Sequence, residues 1–172
     1  MLYARFLGTA LLGALVLAAS AGASNGKTRV VVDRSTSGYA DSVDCSEFGP
    51  YDFENHFGGT QRVSVTDVYG DDGTLLQTVF HIQLDETETN SKTGATLPLK
   101  GRLHEVWDYA SNTRTLTGIV YMGNVPGGGT YTQDTGRITM TRDTREVLFL
   151  AGPHEAFFAG GIDYPVCAAL AG

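Results

Sequence analysis

From Thr60 onward the chain alternates apolar and polar residues with a period of two. In TQRVSVTDVYG, Val63, Val65, Asp67 and Tyr69 fall on one face. In LLQTVFHIQL, Leu76, Thr78, Phe80, Ile82 and Leu84 share one face, and Leu75, Gln77, Val79, His81 and Gln83 share the other. In TLPLKGRLHEVWDY, one face carries Leu97, Leu99, Gly101, Leu103, Glu105 and Trp107; the other, with Lys100, Arg102, His104 and Asp108, reads as solvent-facing. Successive strand side chains point to opposite sides, so this alternation predicts half-buried strands. GDDGT (70–74) and SNTR (111–114) supply turn residues between them. TLTGIVYMG (115–123), GRITMTR (136–142), EVLFLAG (146–152) and, near the start, KTRVVVDR (27–34) add further β-rich runs.

Helical periodicity is almost absent. The expected fold is all-β, an antiparallel up-and-down β-barrel of about eight strands with a short C-terminal helical turn after Pro165. Short hairpin connections favour a barrel over a sandwich, whose Greek key needs a long crossing connection. Gly101 and Gly118 lie inside strands, where glycine permits strong coiling or close backbone approach. The Gly/Pro-punctuated stretch 35–59 is expected to be irregular, and DETETNSKTG (85–94) to be a polar connection.

NVPGGGTYTQDTGR (124–137) invites a phosphate-loop reading. A phosphate cradle needs a helix N-terminus after the glycines, and a P-loop needs a lysine. Here β-favouring Thr130, Tyr131 and Thr132 follow. The segment therefore predicts a hairpin loop with QDTG (133–136) as a second turn.

The N-terminus changes the compartment. Met1 to Ala23 holds one charge, Arg5, then an apolar run ending in small residues. The run is shorter than the ~20 residues of a membrane span and fits a signal peptide cleaved near Ala23. The expected organisation is signal peptide 1–23, an N-terminal strand and irregular segment 24–59, and the main body of one β domain 60–172. Secretion is the expected localisation, with no membrane span after signal removal. The net charge of −7 disfavours nucleic acid and anionic membrane surfaces as partners. The two cysteines, Cys45 and Cys167, predict one disulfide in an exported chain. A reactive thiol or metal site would want a C-x-x-C neighbour or a nearby histidine, and neither is present.

His56, His81, His104 and His154 match no local metal-ligand spacing, so no metal and no cofactor is expected. His81 and Glu105 sit on sequential strands. If both pointed into a barrel they could form a general acid–base pair; otherwise one faces solvent, or the two form a satisfied buried hydrogen bond. Serine chemistry lacks a G-x-S-x-G motif. Tyr69, Trp107, Tyr121 and Tyr131 are candidate pocket-lining residues, with plain core packing as the alternative.

The order of Thr89–Gly94, Pro126–Gly129, Asp134–Gly136, Ala151–Pro153 and Val166–Leu170 resembles small exported actinobacterial proteins with a TN-x-x-TG turn, a PG-x-G segment, a D-x-G turn and a late cysteine. The resemblance covers nearly all the mature chain. It implies one small secreted β domain and no assigned activity. A looser likeness, through the glycine-rich hairpin, is to allene oxide cyclase and dirigent barrels. The functional expectation leans to a non-enzymatic protein that binds a small apolar ligand or a cell-surface partner. The alternatives are a barrel isomerase or cyclase using His81 and Glu105, and a filled-barrel structural or interaction protein.

Overall fold

A computed structural model of the chain describes residues 27–125, 127–154 and 161–172. The signal-peptide segment and Pro126 lie outside them. Seven strands follow one another in space as in sequence: β1 (Thr28–Asp44), β2 (Glu54–Tyr69), β3 (Leu75–Asn90), β4 (Thr96–Asp108), β5 (Thr113–Val125), β6 (Gly129–Thr141) and β7 (Val147–Ala151). Every neighbouring pair is antiparallel. The all-β, up-and-down reading therefore holds, with seven strands in place of about eight. Among the described residues the sheet is not closed, and β1 and β7 are its two edges.

The strands are longer than the apolar alternation alone suggested. β1 has 17 residues and takes in 35–44, and β2 takes in 54–59, of the stretch expected to be irregular. A 3₁₀ turn at Cys45–Glu47 interrupts it, started by Asp44, whose side chain accepts from the Ser46 amide. β3 runs on to Asn90, through residues that read as a polar connection. Its inward positions there are Glu86, Glu88 and Asn90, all buried. QDTG likewise lies within β6 and is not a second turn. The C-terminal turn is a two-turn helix, α1 (Asp163–Leu170), that begins before Pro165. Pro165 is tolerated there because first-turn amides have no partner inside the helix.

Two apolar clusters hold the inner face. Ile82, Leu103, Leu116, Ile138 and Met140 pack across β3 to β6. Towards the other end, α1 brings Val166, Cys167 and Leu170 onto Leu97, Leu99, Phe53 and Cys45. The Cys45–Cys167 disulfide is formed at this second cluster, closing a sequence separation of 122 residues. Asn90 Nδ2 donates to the Leu170 carbonyl, so the helix end is also tied to the β3–β4 turn.

Two strand glycines do what their position suggested. A Cβ at Gly101 would meet the Val120 carbonyl oxygen at 2.7 Å, and one at Gly118 the Arg102 carbonyl oxygen at 2.5 Å. Gly118 also has φ 116°. Side chains there would force β4 and β5 apart.

Candidate functional site

Side chains directly opposite in an antiparallel sheet share a face, so the register sorts the charged residues into two sets. The inner face carries the buried acids Glu86, Glu88, Glu105 and Asp134, each engaged within the protein. Tyr39, Gly59 and Glu86 form one row across β1, β2 and β3. The Tyr39 hydroxyl reaches over the bare glycine to donate to Glu86 Oε2 at 2.6 Å. Asn55 Nδ2 donates to Glu88 Oε2 at 2.6 Å. Glu105 Oε1 accepts from both Arg114 Nε and Trp107 Nε1, and Trp107 packs on Phe80 with ring centroids 5.1 Å apart.

His154 and Asp134 make the remaining inner pair. Its context AGPHE reads as a loop, and no local spacing links residues twenty positions apart. The structure buries both and joins Nδ1 to Asp134 Oδ1 at 2.8 Å. Nε2 lies 3.1 Å from the Ala151 carbonyl oxygen. Both nitrogens face atoms that only accept, so both contacts are satisfied when each nitrogen bears a proton. With both ring nitrogens turned to protein atoms, His154 offers no lone pair to a substrate or a metal.

The structure separates His81 from Glu105. Glu105 lies opposite Phe80 on the inner face, while His81 lies opposite His104 on the outer face. The two side chains lie on opposite sides of the sheet and form no pair. The proposed pocket aromatics are divided as well. Trp107 and Tyr69 sit towards the end of the sheet where β2 meets β3, with the Tyr69 hydroxyl 3.3 Å from Asp67. Partial desolvation, reinforced by Asp67, pushes the Tyr69 phenol up. Tyr121 and Tyr131 instead pack against the disulfide cluster. Tyr131 lies across Gly123 and donates to the Pro98 carbonyl at 3.2 Å.

The outer face has the opposite character. One register row runs Arg34, Ser64, His81, His104, Thr117 and Arg137 across six strands. The next row runs Thr36, Arg62, Gln83 and Arg102. The β1, β2 and β3 ends of these rows border an open depression of about 300 Å³, lined by Arg34, Thr36, Arg62, Ser64, His81 and Gln83. Arg34, Arg62 and Arg102 are exposed, and the ion pairs among the described residues involve none of them. The His81 and His104 rings lie 4.6 Å apart, tilted by 34°. Burial, then His81, then Arg29 hold His104 below the usual imidazole range.

The sequence reading missed Arg34 and Arg62 as site residues. Both stood on polar strand positions, and only the pairing of β1 with β2 and β3 brings them to His81. Among the described residues, no three histidine, cysteine or acidic side chains come together to hold a metal. The His81–His104 pair provides two nitrogens in a field of arginines, which disfavours a cation. No family model, curated protein or solved structure matches this chain.

Proposed function

We propose that this is an exported, disulfide-clipped β protein that acts by non-enzymatic recognition, with the outer face of its sheet as the contact surface. One contrast carries the reading. The buried carboxylates described on the inner face are each occupied by an internal donor, whereas the outer rows present arginines and histidines that no carboxylate neutralises. Groups engaged inside a fold serve stability; exposed groups left unengaged are free to meet something else. A cyclase built on His81 and Glu105 would have its two groups on opposite sides of the sheet.

Export rests on the N-terminal apolar run together with the disulfide, which persists in oxidising compartments. Among the described residues no helix is long and apolar enough to cross a membrane. Closure of the sheet into a barrel belongs to the same proposal. In a seven-strand meander the first and last strands run parallel. Their free edges carry exposed Val30, Val31 and Val32 on β1 and Val147, Leu148 and Phe149 on β7.

Native mass spectrometry of the protein recovered from its producing cells tests the binding reading. A co-purifying species should be present on the parent chain and absent from R34Q/R62Q. A bare chain mass in both, or a species held equally by both, overturns it.

A further inference from the structure

We infer that the two outer-face rows form a binding site for an oligoanion, a chain bearing closely spaced phosphate or sulfate groups, and that its binding is coupled to proton uptake by His81 and His104. This rests on the recognition role proposed above and names its ligand class.

The side chains of these rows are nearly all donors. Arg34, Arg62 and Arg102 offer planar forks that match the two oxygens of a phosphate or sulfate. Ser64, Thr36 and Gln83 lie between them and can donate to the same oxygens. No carboxylate stands in either row. The chain as a whole is acidic, at −7, so an oligoanion would be repelled from a surface with the average charge. Five arginines on one face are therefore a local reversal of sign: Arg29, Arg34, Arg62, Arg102 and Arg137.

Shape narrows the class. The depression is open and shallow, so it cannot enclose a compact apolar ligand. Strands lie about 4.8 Å apart, and the cations recur every one or two strands. A linear ligand laid across the strands meets an arginine on β1, β2, β4 and β6. A single phosphate meets two at most.

The histidine pair makes the site sensitive to protons. The charged groups facing it are Arg29 and Arg34 from β1, Arg62 from β2, Arg102 on its own strand β4, and Arg137 from β6. On the same face, Asp85 and Asp108 lie four residues along their strands from His81 and His104, roughly 13 Å away. Asp85 lies opposite Lys100, and Asp108 accepts from Gln77 and the Ser111 amide. Without a ligand, protonation of the pair adds positive charge to a positive surface; burial first, and then this repulsion from His81 and Arg29, hold His104 low. A bound oligoanion reverses that balance. Binding then draws protons onto the pair, and by linkage affinity rises as pH falls.

Calorimetric titration in low salt tests this with three probes: inorganic tripolyphosphate, a fully sulfated hexasaccharide and orthophosphate. Tripolyphosphate or the hexasaccharide, or both, should bind at least about tenfold more tightly than orthophosphate, and which does so identifies the source. R34Q/R62Q should weaken binding by about tenfold or more with an unchanged melting midpoint. Sulfate groups keep their charge over the histidine range, so the hexasaccharide reads the pH arm; if it does not bind, proton uptake by tripolyphosphate complexes is read in two buffers of different ionisation heat. Affinity or proton uptake should rise from about pH 7.5 to about pH 5.5, and H81Q/H104Q should lose that rise while binding at the upper pH. No binding of either oligoanion at ~1 mM, equal binding by R34Q/R62Q, or pH-independent binding overturns the inference. A neutral species co-purifying with the parent and lost from R34Q/R62Q would overturn the oligoanion while leaving recognition by the outer face intact.

Discussion

His154 shows how far a single side chain's role depends on its neighbours. Its sequence context, AGPHE, suggests a loop residue, yet it is buried against Asp134 with both nitrogens engaged. Removing the buried carboxylate leaves an imidazole nitrogen without its partner. Asp134→Asn should therefore lose about 1–3 kcal/mol of stability, read from urea unfolding at neutral pH. A loss under ~1 kcal/mol would mean that the pair is not buried as described. His104 makes a second test. Its folded-state proton affinity is depressed, first by burial and then by His81 and Arg29. A depressed histidine favours the folded state above its ordinary range near about 6.5, and that contribution is lost as pH falls through the lowered folded value. In ligand-free protein, the melting midpoint of His104→Gln should fall less than that of the parent between about pH 7 and pH 5. Parallel curves would show that His104 is not coupled to folding.

The strands were legible because alternation with period two survives any context that buries one face. Over 63–69, 75–84 and 97–108 the alternation groups the residues that the structure places together on each face. The ends were not legible. Inward positions at the far end of β3 hold Glu86, Glu88 and Asn90, and carboxylates read as solvent until a donor from another strand is known. The second half of β1, from Ser35 on, was hidden too, since this edge strand is exposed along nearly its whole length and carries no alternation. The disulfide was legible from count and compartment, and its partners meet because α1 folds back onto the turn after β1. Opening it in Cys45→Ser/Cys167→Ser should lower stability by up to about 4–5 kcal/mol in guanidinium unfolding, as expected for a loop above a hundred residues. Gly118→Ala tests the β4–β5 contact. A side chain there is strained at φ 116° and collides with the Arg102 carbonyl, so a loss of at least about 1–3 kcal/mol is expected. An unchanged midpoint would rule out the close approach of these strands.

For the molecule as a whole, the buried acids of the inner face are engaged, while the two central outer rows carry exposed arginines and no carboxylate. The sheet also leaves two apolar edges unpaired. If these edges meet within one chain, Val31→Cys/Leu148→Cys should form an additional disulfide in a species that remains monomeric on a sizing column under oxidising conditions. A disulfide-linked dimer would show that the edges pair between copies, and the barrel reading would fall. The sequence by itself determined the all-β class, the hairpin order, the inner and outer sets of the central strands and the cysteine pair. These follow from local periodicity, turn chemistry and residue counts, which act over a few residues or over none. Only the tertiary structure decided that the sheet stays open among the described residues, that His81 and Glu105 lie on opposite sides, that His154 is buried on Asp134, and that Arg34 and Arg62 gather beside His81. Those outcomes depend on register between strands far apart in the chain, and register is set when the whole inner face packs at once.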